Sequence, residues 1–440
     1  MLVYSTKTLT MAGGLMQLVA YGAQDVYLTG NPKVTFFQAV YKRHTNFAME
    51  NIEQTVNGTA SNNGRVSVTI ARNGDLIGDM YVELVTASLG TKAGTADLDA
   101  CWVAERAIKD VELSIGGQRI DKHYQKWWRL YSELYLDDSK KANYGKMTTN
   151  PVASTAGTVF LPLLFFFNRN PGLYLPLIAL QYHEVRIDFD LSSEFSQYTD
   201  GSTFKVWGNY VYLDTEERRR FAQKGHEYLI EQVQHTGTDT VTAGSTKQVR
   251  LSYNHPIKEL VWCFNDGGSS NAQHWNFTSN AATAGSVVLE ANPTAYGNCH
   301  VPISEGTGAP LLSVGSSGSS VQWAEEGAAL SLSAGPLDTF KLVLNGQDRF
   351  KEQKGKYFNQ VQAFNHHSGT PYPGVYSYSF ALKPEEHQPT GTCNFARIDN
   401  AQVAVTLKSG ATDSQVMHMF ATNYNVLRIQ SGMGGLSYSN

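Results

Sequence analysis

Val111-Glu-Leu-Ser-Ile-Gly-Gly-Gln118 recurs in the second half of the chain as Phe340-Lys-Leu-Val-Leu-Asn-Gly-Gln347. Each stretch places an apolar residue at every second position and then a two-residue turn signal, Gly-Gly in one copy and Asn-Gly in the other. This pattern predicts a β-hairpin in each half of the chain. An arginine, an apolar residue and a charged residue follow shortly after both hairpins, as Arg119-Ile-Asp121 and Arg349-Phe-Lys351.

Four further pairs of segments repeat in the same order along the chain. They are Ile52-Glu-Gln54 with Ile230-Glu-Gln232, the strand–turn–strand segments around Asn73 and Asn254, Val159–Phe167 with Val375–Leu382, and Asn209-Tyr210 with Asn423-Tyr424. Each match is weak by itself. Five matches in one order, whose spacing changes mainly across a Gly- and Ser-rich segment, indicate that the chain carries one fold twice.

The duplicated unit predicts an all-β protein made of two consecutive eight-stranded jelly-roll domains, with short helices in loops and at the N-terminus. Each copy has many short strands over roughly 180 to 215 residues, which is the size of a single sandwich or barrel domain. The expected boundaries are an N-terminal arm with a short helix at 1–35, a first jelly roll at 36–215, a linker at 216–225, and a second jelly roll at 226–440 with a long exposed loop at about 265–334.

Two helices are expected from the spacing of apolar residues. Asn31 is a suitable cap and Pro32 a suitable first residue for a helix that carries the stripe Phe36, Phe37, Val40 and Tyr41. A longer helix is expected within 121–136, where Trp127, Leu130, Tyr131, Leu134 and Tyr135 share one face and Trp128 lies at its edge. That aromatic face must pack on a sheet or on a neighbouring subunit, and the sequence leaves both alternatives open.

The composition argues against several classes of function. The 440 residues are 42% hydrophobic and only 17% charged, and the net charge of −4 is unsuited to wrapping a phosphate backbone. The basic run Arg218-Arg219-Arg220 follows Glu216-Glu217 and is interpreted as a solvated or interface-pairing segment rather than a nucleic-acid site. Four widely spaced cysteines fit neither a zinc site nor a disulfide framework, so reduced thiols are expected.

No catalytic or metal-binding motif is complete in the sequence, so neither an enzyme nor a cofactor is expected. His183-Glu184 and His226-Glu227 each begin a zinc-protease motif, but Ile187 and Ile230 stand where the second histidine is required. The apolar run Val159–Phe167 contains Pro162 and is about half the length of a membrane-spanning helix, and it predicts a buried strand.

Several segments of the sequence resemble the major capsid proteins of chlorella viruses, which belong to the double jelly-roll family of large DNA viruses. The matching segments are Met11-Ala-Gly-Gly-Leu15, Gln17–Pro32, Tyr41-Lys-Arg-His-Thr-Asn-Phe47, Ile115–Tyr124, Pro176–Val185, His226–Gln232, Leu344–Phe350 and Asn423–Leu436. The resemblance runs from Met11 to the C-terminus. The residues before Met11 lie outside it, which raises the hypothesis that Met11 is the initiator.

The resemblance implies a homotrimer that forms a pseudo-hexameric capsomer and tiles an icosahedral shell. It also implies neighbouring capsomers and minor capsid proteins as partners, an inner viral membrane that lies close by and is not spanned, and no direct nucleic-acid contact. It places the protein in the outer capsid of the virion, after synthesis and assembly in the host cytoplasm. The alternative is a carbohydrate-binding jelly roll that serves attachment to the host.

The remaining candidate residues concern glycans and subunit contacts. The sequence has two N-x-Thr sequons, at Asn57 and Asn276, and the resemblance implies glycans on exposed loops, so Asn276, Asn280, Asn271 and Asn57 are the candidate glycosylation sites. Low overall charge and the aromatic helix make Trp127, Trp128, Arg218, Arg219 and Arg220 the candidate subunit-interface residues.

Overall fold

The structure is a computed structural model of the single chain. It describes residues 13–87, 102–149, 156–266, 335–371, 374–409 and 414–438, residue 277, and four short strands between 287 and 323. The chain divides into two compact units, Met1–Asn46 and Phe47–Asn440.

The first unit contains two short helices, α1 (Gly13–Val19) and α2 (Val26–Thr29). The prediction of a helix that starts at Asn31 is wrong. Asn31 has a left-handed φ of 53°, and no helix or strand is formed from residue 32 to residue 46. A helix N-cap takes an extended backbone conformation, which Asn31 does not have. The expected apolar stripe, including Phe36 and Phe37, is exposed, so a helix there would gain no stabilisation from burial of that stripe.

The second unit begins with a first jelly roll of two antiparallel sheets. Its strands are β1 (Phe47–Gln54), β2 (Val56–Asn57), β3 (Arg65–Thr69), β4 (Leu76–Thr86), β5 (Ile108–Ile115), β6 (Gln118–Tyr124), β7 (Thr158–Pro162), β8 (Leu175–Pro176), β9 (Val185–Leu191) and β10 (Thr199–Leu213). One sheet has the order β1-β10-β4-β7 with β8 on β4, and the other has the order β2-β3-β9-β5-β6.

The second jelly roll follows in the same unit. Its strands are β11 (His226–Thr242), β12 (Thr246–Leu251), β13 (Pro256–Asp266), β18 (Leu337–Leu344), β19 (Gln347–Asp348), β20 (Gln353–Lys354), β21 (Val375–Ser379), β22 (Cys393–Asn394), β23 (Ala401–Leu407), β24 (Ser414–Gln430) and β25 (Met433–Leu436). Between β13 and β18 lie two short hairpins, formed by β14 (Val287–Leu289) with β15 (Pro302–Ser304) and β16 (Leu312–Val314) with β17 (Val321–Trp323). Apart from residues 265 and 266, which end β13, and residue 277, the other residues of the predicted long loop lie outside the described part of the chain.

The two jelly rolls have the same topology. The order β1-β10-β4-β7 in the first matches β11-β24-β13-β21 in the second, and β3-β9-β5-β6 matches β12-β23-β18-β19. Each copy therefore contains the eight strands of a jelly roll in two packed sheets. The predicted double jelly roll is confirmed.

The two repeated stretches form equivalent hairpins. Ile115 pairs with Gln118 in the first copy, and Leu344 pairs with Gln347 in the second. The central turn residues have positive φ in both, with 58° and 82° in the first copy and 50° and 81° in the second. This is the type I′ turn, whose twist matches that of the strands and which favours Asn-Gly and Gly-Gly.

Helices occupy the connections between strands. They are α3 (Val103–Ala107), α4 (Gln125–Leu134), α5 (Asp138–Thr148), α6 (Phe166–Arg169), α7 (Phe195–Tyr198), α8 (Thr215–Gln223) and α9 (Gln362–His366), with a π turn at Tyr357–Val361 and 3-10 turns at Pro171–Leu173 and Phe395–Arg397. The aromatic helix begins at Gln125 rather than Asp121 because residues up to Tyr124 continue the hairpin with β5. Likewise, the apolar run that begins at Val159 is a strand only as far as Pro162, although its later residues are also buried.

The core of the second jelly roll lies between its two sheets. Trp262 is fully buried and stacks on Phe340, with 4.3 Å between ring centroids, and Tyr376 stacks on the same indole at 5.8 Å. Trp262 and Tyr376 belong to one sheet and Phe340 to the other, so these rings join the two layers.

Replacing Gly346 by alanine should destabilise the protein, because the substituted residue must keep a φ of 81°. A left-handed residue with a Cβ costs about 1–2 kcal/mol, and the free energy of unfolding in urea should fall by that amount. Gly225→Ala is the matched control, since a Cβ there makes only ordinary contacts and its φ is outside the left-handed region. Equal losses in both variants would contradict the turn assignment.

Candidate functional site: the junction between the two jelly rolls

Helix α4 joins the two jelly rolls through an aromatic stripe. Trp127, Tyr131 and Tyr135 lie on one face at a spacing of four residues, and Leu130 and Leu134 are buried in the first jelly roll. The stripe packs on the outer face of the sheet β11-β24-β13-β21. The ring centroid of Trp127 lies 5.7 Å from that of Phe420. Both rings belong to a hydrophobic cluster that also includes the buried β13 side chains that point away from the core of the second jelly roll.

The two candidate interface tryptophans are buried within the chain. Trp127 is 2% exposed and Trp128 is fully buried, and the Trp128 indole N–H donates to the Pro162 carbonyl oxygen at 3.1 Å. The expectation that they bury surface between subunits is therefore corrected: the surface that they bury lies inside one chain. The sequence does not distinguish the chain's own second domain from a neighbouring subunit, because both offer an apolar sheet face.

A buried carboxylate, Glu259, connects the helix to the second jelly roll. Its side chain is fully buried and accepts hydrogen bonds from the Tyr135 hydroxyl and from His367 Nε2, each at 2.5 Å. The other ring nitrogen of His367 lies 3.2 Å from Glu385. Burial alone would lower the pKa of His367, but the two carboxylates outweigh burial and raise that pKa to about 9.

A second buried carboxylate, Glu231, is held between cations from both jelly rolls. Lys258 Nζ of the second jelly roll lies 2.6 Å from it, and Arg169 Nη2 of the first lies 3.0 Å away. Burial favours the neutral acid, but the two cations prevail and lower the pKa of Glu231. Removing one member of such a buried cluster leaves an uncompensated charge, so this contact strongly favours one arrangement of the two domains.

Hydrogen bonds between backbone and side-chain groups connect the edges of the two domains. The Val233 amide donates to Asp121 Oδ1 at 3.0 Å, and the Gln232 side-chain amide donates to the Ile120 carbonyl oxygen. Near the C-terminus, the Leu436 amide donates to Gln118 Oε1 at 3.1 Å. Strand β25 is therefore hydrogen-bonded to the repeated hairpin of the first jelly roll.

The linker arginines have different surroundings. Arg218 Nε lies 3.0 Å from Asp75 Oδ1, and this buried carboxylate also accepts the Leu213 amide at 2.9 Å, so Arg218 ties α8 to the first jelly roll. Arg219 pairs with Glu216 on the exposed surface at 3.5 Å. Arg220 is exposed. A subunit contact through Arg218, Arg219 and Arg220 stays a prediction.

The other sequence candidates have simple surroundings. Within the described ranges, no group of three or more His, Cys, Asp or Glu side chains is placed to hold a metal ion, and no helix is long and apolar enough to cross a membrane. His226 Nε2 lies 2.7 Å from the Phe221 carbonyl oxygen. Cys263 and Cys393 are free thiols. Asn57 is exposed on β2, whereas Asn271, Asn276 and Asn280 lie outside the described residues.

Sequence reasoning missed the buried charges of the junction. Glu231 belongs to the repeated Ile-Glu-Gln motif, and Lys258-Glu259 interrupts the apolar residues of β13. A charged pair inside an otherwise buried strand is a signal for such a junction, but the sequence does not show which partners neutralise it.

The double jelly roll and its interdomain junction can be compared with those of known proteins, and the matches are to viral shell proteins. The family described as large eukaryotic DNA virus major capsid protein matches residues 217–435, and the major capsid protein N-terminus family matches residues 35–214. The chain belongs to this family of major capsid proteins.

Individual relatives match over nearly the whole chain. The major capsid protein of Paramecium bursaria Chlorella virus 1 is 44% identical and that of Phaeocystis pouchetii virus is 40% identical, each over 98% of this chain and 100% of the relative. The quasi-atomic model of the PBCV-1 virus capsid covers 92% of this chain and 100% of that chain, with 40% identity and a TM-score of 0.73. These matches favour a capsid subunit over a carbohydrate-binding jelly roll.

The junction should weaken as the pH rises, through His367. Its folded pKa of about 9 exceeds the ordinary value of 6.5, so its stabilisation is complete below pH 6.5 and is lost as the pH rises through 9. The loss should reach about 3 kcal/mol in the free energy of unfolding. Urea denaturation between pH 6 and 10 should show this loss as an advantage of the wild type over His367→Gln that shrinks as the pH rises. The effect of Lys126, whose pKa burial lowers to about 8, is common to both proteins and cancels in the comparison.

His366→Gln is the matched control, because the ring of His366 lies beside the Leu382 carbonyl oxygen rather than a carboxylate. This variant should keep the pH dependence of the wild type. The assignment to His367 would be refuted if the difference in stability between the wild type and His367→Gln were the same at pH 6 and pH 10.

Proposed function

We propose that this major capsid protein assembles as a homotrimer whose six jelly rolls form a pseudo-hexameric capsomer of an icosahedral shell. The observation that carries the proposal is the identical strand order of the two jelly rolls within one chain. Three copies of a chain with two like domains place six similar units around a threefold axis. A block with six similar sides can pack in a flat hexagonal array.

The junction supports the proposal because it makes each chain a block of fixed shape. Three contacts involve both jelly rolls: the aromatic stripe of α4, the cluster of Glu231 with Lys258 and Arg169, and the cluster of Glu259 with Tyr135 and His367. A rigid pair of domains keeps the six sides of a capsomer equivalent from one copy to the next, which closed rings with identical contacts require.

Further partners belong to the same proposal. In the assembled shell the capsomers would contact one another and minor capsid proteins, and their inner side would face a viral membrane that the protein does not span. The protein would contact no nucleic acid directly and would catalyse no reaction. Synthesis and assembly would take place in the host cytoplasm, before the protein becomes part of the outer capsid of the virion.

The purified protein should sediment as three chains of 48.5 kDa, at about 145 kDa. Sedimentation velocity at micromolar concentration measures this mass, and negative-stain electron microscopy of the same sample should show particles with a hexagonal outline. A folded monomer that persists across this concentration range would overturn the trimer.

Glycans on exposed asparagines are a further part of the proposal, with Asn276 as the first candidate and Asn271, Asn280 and Asn57 as the others. Asn57 supports it by its exposure next to the sequon threonine Thr59. Glycopeptide mass spectrometry of protein from virions should find sugar on at least one of these residues. Spectra that cover all four asparagines without sugar would contradict the expectation.

A further inference from the structure

The contact between the jelly rolls of one chain uses two parts of the first jelly roll and one face of the second. The parts are helix α4, between β6 and β7, and the segment after β7 that carries Arg169. The face is the outer side of β11-β24-β13-β21, where Val261 of β13 stands opposite Phe420 of β24. Because the topology repeats, the second jelly roll has segments that correspond to these two parts, and the first jelly roll has a sheet face that corresponds to this face.

The segments of the second jelly roll that correspond to α4 and to the segment after β7 carry exposed apolar residues. The connection that corresponds to α4 lies between β19 and β21 and contains the π turn and α9, where Val361 is 42% exposed and Phe364 is 88% exposed. Leu382, after β21, is 74% exposed, and its carbonyl oxygen lies 3.1 Å from His366 Nδ1 at the end of α9. We call Val361, Phe364 and Leu382 the helix patch.

The second copy of the face is the outer side of β1-β10-β4-β7. Here Tyr81 of β4 stands opposite Trp207 of β10, as Val261 stands opposite Phe420 in the other jelly roll. The ring of Phe160 lies 5.7 Å from that of Tyr81, and all three aromatic side chains are only partly buried.

Strand β1 extends this face with two exposed apolar side chains, beside the exposed polar residues Asn51 and Glu53. Asn51 of β1 donates a hydrogen bond to the Tyr81 hydroxyl, so alternate residues of β1 point to the outer side of the sheet. Among them, Phe47 is 55% exposed and Met49 is 50% exposed. We call Phe47, Met49, Tyr81, Phe160 and Trp207 the sheet patch.

Within the second unit, exposed apolar residues concentrate on the two patches. In the described part of the chain after residue 46, the large apolar side chains that remain exposed are Phe47, Met49, Val361, Phe364 and Leu382, together with Tyr182, Met433 and Tyr438. The first five belong to the helix patch or the sheet patch. Clustered exposed apolar groups of this kind mark surfaces that another protein covers.

We propose that the helix patch of one chain docks on the sheet patch of a second copy, and so repeats between chains the contact that α4 makes within the chain. The inference rests on the trimer proposed above and names the surfaces that form it. The two patches are different and lie on different jelly rolls, so the contact is heterologous, and three copies close it into a ring. Around that ring, contacts within chains alternate with contacts between chains.

The test uses one charged substitution in each patch. Phe364→Glu disables the helix patch and Met49→Glu disables the sheet patch, and both side chains are at least half exposed in the single chain, so the fold should survive. Each variant should weaken association at least ~30-fold, the effect of losing an interface hot spot, and should sediment as a monomer. Met433→Glu is the matched control, since Met433 is 52% exposed and lies outside both patches, and it should remain a trimer.

Mixing the two variants tests whether the patches bind each other. Phe364→Glu keeps an intact sheet patch and Met49→Glu keeps an intact helix patch, so an equimolar mixture at tens of micromolar should form a 1:1 dimer that cannot close into a ring. Leu382→Glu and Phe47→Glu form a second such pair, to be used if circular dichroism shows that either first variant is unfolded.

The outcomes separate the two proposals. Variants that stay trimeric beside a trimeric wild type would overturn the patches and leave the trimer in place. Monomeric variants that form no dimer on mixing would overturn the pairing of the helix patch with the sheet patch. A wild type that is itself monomeric would overturn the trimer and the inference together.

Discussion

The burial of one sheet on both of its faces is the constraint on which the rest of this structure depends. The inner face of β11-β24-β13-β21 covers the core of the second jelly roll, and its outer face is covered by the aromatic stripe of α4. Leu260 to Phe264 are therefore all buried, and β13 loses the alternation of a half-exposed strand. Since the second cover comes from the first jelly roll, the two domains form one unit.

Buried charges make this apolar contact specific. Apolar contacts alone are non-directional and tolerate small rotations of a helix on a sheet. Glu231, however, lies within 3.0 Å of both Lys258 and Arg169, and a shift of either domain would leave a charge unpaired in a buried site. Such clusters add little net stability, but they make every other arrangement of the two domains unfavourable. A protein that must have the same shape in every copy needs this specificity.

The sequence predicted the features that short-range patterns determine. The two turn signals identified equivalent hairpins, and the order of the repeats predicted the duplicated topology, because turn chemistry and strand alternation are local. The helix at Asn31 was wrong because a local cap and stripe do not suffice without a surface to pack on. The roles of Trp127 and Trp128 were misassigned because a sequence shows that an aromatic face will be covered but not by which partner. The partners of Glu231 and Glu259 are distant in the chain, and no local pattern gives them.

The proposed contact between chains differs from the contact within the chain because it forms under different conditions. Within a chain, α4 and its sheet are tethered, so their effective concentration is high and the aromatic stripe is covered as soon as the domains fold. That contact can therefore include the indole of Trp127 and buried charges, which must be neutralised by precise partners. Between chains, the helix patch must remain soluble until another copy arrives, which favours a small apolar surface. Val361, Phe364 and Leu382 form such a surface, without the buried ions whose desolvation a diffusing partner would first have to overcome. Divergence of two equivalent contacts thus follows from the difference between folding and assembly.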